Sequence, residues 1–221
     1  MSKAEVCRRI EERGIIAVIR AATPTLALAA ANAAAEGGVS VIEITLTVPR
    51  ALEAIRELSR SALHLLVGAG TVLDASAARE CLEAGAEFLV SPGFDRAIVE
   101  LARREGVLMM AGALTPTEIL EAWRAGSDFV KIFPCGNLGG ASYIQTLKAV
   151  LPQVPIIPTG GVNLQTAGPL LEAGAAALGV GGELISAAAL QAGDFWRITA
   201  TARQLMEILK RHRCASPLTP V

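Results

Sequence analysis

One local pattern recurs eight times along the chain: a short run rich in Val, Ile and Phe, a stretch of helical length, then a turn. The runs occupy 15–20, 39–46, 65–69, 87–91, 107–112, 128–133, 154–159 and 177–181. Their spacing of roughly 20 to 26 residues is what one strand, one helix and two short loops require. Thr23-Pro24 supplies an N-cap and an N1 proline, and Thr115-Pro116-Thr117-Glu118 is a capping box with the same proline. The closing signals repeat as well: Glu36-Gly37-Gly38-Val39, Glu83-Ala84-Gly85-Ala86, Arg124-Ala125-Gly126-Ser127 and Glu172-Ala173-Gly174-Ala175 each place a glycine where a helix ends in the left-handed conformation. Eight such units predict an α/β protein of the (β/α)8 TIM-barrel kind, because eight parallel strands with right-handed crossovers can close and remove both sheet edges. A doubly wound open sheet is the alternative. With no linker or break in composition, 1–221 reads as one domain, with an extra N-terminal helix over 1–13, a terminal helix over 198–213 and a loose tail over 214–221.

Composition excludes several function classes. Hydrophobic residues make up 52% and charged residues 19%, enough apolar surface to bury a sizeable core. A formal net charge of −1, without a basic run, argues against nucleic acid as a partner. The most apolar stretch, 26–35, carries Asn32 and runs into Glu36, well short of the roughly 20 residues a bilayer span needs. The N-terminus has no signal-peptide pattern, so the expected compartment is the cytosol, with Cys7, Cys81, Cys135 and Cys214 reduced. Those cysteines lack C-x-x-C spacing and the two histidines, His64 and His212, are far apart, so no transition-metal site is expected.

In a barrel the active site lies at the C-terminal strand ends, so polar residues there carry the information. Lys131, one of four lysines against sixteen arginines, interrupts Phe129-Val130-Lys131-Ile132-Phe133 and shares a face with Phe129 and Phe133. An ammonium among such neighbours is poorly solvated, which favours the free amine that attacks a carbonyl. Pairing with a carboxylate is the plain structural alternative. Glu43 lies in Val41-Ile42-Glu43-Ile44-Thr45-Leu46-Thr47, where Glu43, Thr45 and Thr47 share one face and Ile42, Ile44 and Leu46 the other. If the apolar face meets the helices, Glu43 points into the barrel, where a carboxylate needs a partner or a function. Arg20 closes the first run on the face of Ile16 and Val18, placed to grip a carboxylate or phosphate or to serve as an inert strand-end charge. The glycine turns Thr159-Gly160-Gly161-Val162 and Gly179-Val180-Gly181-Gly182 follow the seventh and eighth runs, where many barrels hold phosphate on backbone N–H groups. Gly68-Ala69-Gly70-Thr71 and Ser91-Pro92-Gly93-Phe94 offer further close-approach walls.

These residues resemble, over nearly the whole chain, the class I 2-keto-3-deoxy-6-phosphogluconate (KDPG) and 4-hydroxy-2-oxoglutarate (KHG) aldolases. The resemblance rests on the segments ending at Arg20 and running Glu43 to Pro49, Val67 to Val72, Ser91 to Phe94, Leu114 to Glu118, Val130 to Pro134 and Pro158 to Val162, in that order. It implies a (β/α)8 barrel, usually a homotrimer, that acts on a small 2-keto acid without metal or organic cofactor. Lys131 becomes the Schiff-base lysine and Glu43 the general acid/base. Thr71, Pro92 and Phe133 would line the pyruvyl pocket, with Thr159, Gly160, Gly161, Gly181 and Gly182 near the distal, often phosphorylated, end. Two places depart from the family's pattern. Thr47 stands where some members carry an arginine for the substrate carboxylate, leaving Arg20, or Arg50 from the next helix, to supply the charge. Glu183 stands where some members carry a serine, and a carboxylate there would repel a phosphate unless turned away, which leaves the choice between phosphorylated and unphosphorylated substrates open. The rival readings are a barrel phosphosugar isomerase or synthase, which needs no Lys131, and a sugar-acid-binding barrel in which Lys131 and Glu43 form an inert pair.

Overall fold

A computed structural model describes residues 1–61 and 64–215. Helix α1 (Lys3–Arg13) precedes β1 (Ile15–Ile19), α2 (Pro24–Glu36), β2 (Val41–Thr45), α3 (Ala51–Ser61), β3 (Leu66–Gly70), α4 (Ala75–Glu83) and β4 (Phe88–Val90). The second half runs α5 (Arg96–Arg104), β5 (Leu108–Ala113), α6 (Pro116–Ala125), β6 (Phe129–Ile132), a 3-10 turn (Gly136–Leu138), α7 (Ala141–Val150), β7 (Ile156–Pro158), α8 (Ala167–Glu172), β8 (Leu178–Val180), α9 (Ala187–Ala192) and α10 (Phe195–Ala215). Every pairing is parallel, in the order β7-β6-β5-β4-β3-β2-β1-β8. The eighth seam is thin: β7 and β8 meet through the isolated bridge Thr159–Gly179 and through the Ala176 N–H donating to the Ile156 carbonyl at 2.9 Å. The sheet is thus a (β/α)8 barrel, and the open doubly wound alternative is set aside.

Period-two alternation divides each strand between two cores. Ile42, Ile44, Val67, Ala69, Val130 and Ile132 face the helices, while Ile16, Val41, Leu66, Phe88, Met110, Phe129 and Ile157 fill the barrel interior. Val6 and Ile10 of α1 join the interior set and plug the N-terminal end. Volumes interdigitate there: a Cβ on Gly68 would lie 2.4 Å from the Phe88 ring, so the glycine admits the aromatic. Toward the other end the inward positions become Glu43, Thr45, Lys131 and Thr159, all buried. The side-chain core therefore stops where the chemistry begins.

The local signals act as read. Thr23 accepts from the Leu26 N–H, and both halves of the Thr115/Glu118 capping box form. Gly126 ends α6 at φ 105°; in the Gly37-Gly38 pair it is the second glycine, at φ 98°, that turns the chain. Gly37 acts through its size instead. Its absent Cβ would lie 2.3 Å from that of Ala202, so it lets α10 lie against the end of α2. There the Thr199 hydroxyl donates to the Ala33 carbonyl at 2.9 Å. The last helix extends beyond 198–213 at both ends, so residues 214 and 215, read from sequence as the start of a tail, are helical. The remainder of the expected tail, 216–221, lies outside the described residues. Helix α9 has no counterpart in the sequence reading. Among the described residues no helix is long and apolar enough to cross a membrane.

Candidate active site

Lys131 on β6 and Glu43 on β2 are buried side chains that meet across the barrel interior, Lys131 Nζ donating to Glu43 Oε1 at 3.4 Å. The ammonium nitrogen also lies 5.6 Å from the centre of the Phe133 ring. Space for the carboxylate comes from β3, where Gly70 pairs with Thr45: a Cβ on Gly70 would stand 2.0 Å from Glu43 Oε1. The sequence marks Gly68-Ala69-Gly70-Thr71 only as a wall; its deeper function is to leave the acid room. Of the other three lysines, Lys210 is exposed on α10 and two are occupied elsewhere. Lys3 is paired with Asp128 at 2.9 Å, and Lys148 donates to the Pro152 and Val154 carbonyls at 2.7 and 3.0 Å, its ammonium pushed below the usual lysine range by burial.

A cleft of about 250 Å³ opens at the C-terminal strand ends. Arg20 enters it from the end of β1, Phe133 from β6, Thr159, Gly160 and Gly161 from the turn after β7, and Gly181, Gly182 and Glu183 from the turn after β8. Thr159 is buried in the cleft floor because Gly179 has no Cβ, which would lie 2.3 Å from Thr159 Oγ1. The remaining sequence candidates stand on the β2–β5 side of the mouth. Pro92 crosses above Gly112, whose Cβ would be 2.2 Å from the Pro92 carbonyl. Thr71 is held at φ 57°, a left-handed conformation that strains a β-branched residue. Thr47 is exposed, and its hydroxyl lies 2.7 Å from that of Thr45. Since Thr45 donates its proton to the Ile19 carbonyl, Thr47 is the donor to Thr45 and offers a ligand only lone pairs. Arg50, just before α3, is turned outward, exposed and 3.3 Å from Glu53 of that helix, so of the two arginines considered for the anion only Arg20 reaches the cleft.

A larger hollow of about 490 Å³ lies outside the barrel between α2 and α10. Its charges, Glu36 and Arg203, are exposed and paired at 3.4 Å, and its buried hydroxyl, Thr199, is engaged by the backbone, so it has nothing with which to do chemistry. Among the described residues no three His, Cys, Asp or Glu side chains gather into a metal-binding group. The barrel mouth instead joins an amine, a carboxylate within proton-transfer reach, a cation and a glycine-lined wall, a set suited to covalent carbonyl chemistry on a small anion.

Comparison with known proteins agrees with that chemistry. The family model "KDPG and KHG aldolase" matches residues 6–201. A 2-dehydro-3-deoxy-phosphogluconate aldolase of Treponema pallidum (strain Nichols) is 33% identical over 201 residues, covering 90% of this chain and 95% of its own. The KHG/KDPG aldolase of Escherichia coli (strain K12) is 36% identical over 178 residues, 80% of this chain and 83% of its own. Among solved structures, a KDPG aldolase from Legionella pneumophila, with pyruvate captured as a covalent carbinolamine, superposes with a TM-score of 0.79 at 28% identity, covering 87% of this chain and 93% of its own.

Proposed function

Because the chain belongs to the KDPG and KHG aldolase family, we propose that it cleaves 2-keto-4-hydroxy acids to pyruvate and an aldehyde through a Schiff base on Lys131, acting in the cytosol as a one-domain homotrimer. The observation that carries the reading is the buried Lys131–Glu43 contact of 3.4 Å beside the cleft.

The unprotonated Lys131 amine adds to C2 of the substrate. Glu43 moves the proton by which the carbinolamine loses water, leaving a protonated imine. Glu43 then takes the C4 hydroxyl proton, the C3–C4 bond breaks, and its electron pair enters the imine to give an enamine of pyruvate while the aldehyde leaves. Protonation at C3 and hydrolysis of the imine return the lysine and release pyruvate. The aldehyde is glyceraldehyde 3-phosphate from KDPG and glyoxylate from KHG. Arg20, the cleft's exposed cation, grips the substrate's negative charge; Phe133, Thr71 and Pro92 enclose the pyruvyl part; Thr159, Gly160, Gly161, Gly181 and Gly182 meet the distal end. No step calls for a metal or organic cofactor.

The same contact also favours one rival, a sugar-acid-binding barrel with an inert ion pair, and a single experiment separates them. Borohydride added with pyruvate is expected to leave a reduced pyruvyl adduct on Lys131. In Glu43→Gln the adduct should still form, more slowly, while turnover falls by about 10²–10⁴-fold. Adduct on Lys148 or Lys210, or none, overturns the Schiff-base reading. A Glu43→Gln enzyme with near-full turnover and reduced thermal stability makes Glu43 a structural partner only.

A further inference from the structure

The cleft's polar inventory is unusual for one that would hold a phosphate. Arg20 is its one side-chain cation and Glu183 its one carboxylate, and neither is ion-paired among the described residues. In the two turns that line the cleft, the N–H groups of Gly161, Gly182 and Glu183 find no hydrogen-bond acceptor among the described residues. The two glycine turns therefore bring unpartnered donors and one strong acceptor to the same cleft. A hydroxyl satisfies both, accepting from the amides and donating to the carboxylate. A phosphate dianion can only accept, so it meets the amides but faces Glu183 with like charge and no proton between them. Counting charge leads to the same result whichever end of the substrate Arg20 holds. A phosphorylated sugar acid brings a carboxylate and a phosphate of about −1.5 to −2 to a cleft with one cation and one opposing carboxylate. An unphosphorylated sugar acid brings a single charge, which Arg20 offsets, so the same count leaves only the charge of Glu183 itself.

We propose that Glu183 selects 2-keto-3-deoxy sugar acids with a free terminal hydroxyl over their 6-phosphates, the carboxylate accepting the hydroxyl proton while the glycine-turn amides donate to its oxygen. This inference rests on the aldolase reading and deepens it by naming a substrate class outside the KDPG/KHG pair.

The test compares kcat/KM for 2-keto-3-deoxygluconate and its 6-phosphate in the wild-type enzyme, Glu183→Gln and Glu183→Ser, with pyruvate as the readout. The wild type is expected to favour the unphosphorylated acid by about tenfold or more. Both variants should lower that activity and raise activity on the phosphate, reversing the preference, and added salt should shrink the wild-type discrimination. A wild type that prefers the phosphate, or a ratio unmoved by either variant, overturns the proposal. Borohydride trapping with pyruvate on the same preparations separates the two levels: an adduct on Lys131 with the phosphate preferred defeats the role of Glu183 alone. Absence of both adduct and cleavage defeats the aldolase reading and this inference with it.

Discussion

Glu43 depends on an atom that is missing from its neighbour. Gly70 reaches the carboxylate only because it has no Cβ, and alanine there would have to displace backbone or acid from an otherwise close-packed interior. Gly70→Ala is therefore expected to behave like a loss of Glu43, with turnover falling by about 10²–10⁴-fold while pyruvate still traps on Lys131. Trapping and turnover measured on one preparation check this; near-normal turnover would mean that the carboxylate works from another position. The sequence disclosed Lys131 and Glu43 because a charge in an apolar strand has few tolerable explanations. Gly70 was only half legible, since a glycine beside a strand end says that something comes close without saying what. Burial pushes the Cys81 thiol up to about 12 and those of Cys7 and Cys135 up to about 11.

Among the elements, α6 was the most completely written in the sequence, because each part of its start is a local interaction. Thr115 and Glu118 satisfy the first-turn donors reciprocally, and Glu118 also accepts from the Leu114 N–H at 2.8 Å. Thr115→Ala should cost about 0.5–2 kcal/mol, read as a fall in Tm of about 2–4 °C per kcal/mol. The Thr115 and Leu114 backbone N–H groups hold the Glu118 carboxyl below its ordinary value of 4.5. A lowered folded-state value means that the stabilisation is present above the ordinary carboxylate range and disappears as pH falls through the folded value. The Tm gap between wild type and Glu118→Gln, small because the group is exposed, should thus exist at pH 7 and close in acid; a gap that widened in acid would contradict the capping role. What escaped sequence reading was set by distant packing. Helix α9 is only six residues long, with a serine cap and no amphipathic repeat to announce it, and α10 lies on α2 in its first half while its far end meets the end of α1, Arg213 donating to the Glu11 and Glu12 carbonyls.

At the scale of the whole molecule, eight repeats were legible as eight strands, and alternation within each told inside from outside. Closure was a matter of topology, and the thinness of the last seam has no sequence signal at all. Leu73, Val150 and Trp196 are apolar side chains 64%, 68% and 66% exposed, and the proposed trimer is expected to cover surface of this kind. Light scattering is expected to give three times the 22.9 kDa chain mass, and a stable monomer at assay concentration would remove the trimer.

The incomplete seam between β7 and β8 gives the barrel a mechanical character of its own. Seven of its joints are strand-to-strand ladders, and the eighth is fastened by the Ala176–Ile156 hydrogen bond and by Thr159, in the floor of the cleft, facing Gly179. A cask with one loose stave is tightened by a hoop, and here the cargo is the hoop: a molecule touching Phe133 and Thr159 on one side and Gly181 and Arg20 on the other spans the gap. Filling the site is therefore expected to brace the vessel as well, read as a higher Tm once pyruvate is trapped on Lys131 than in the free enzyme.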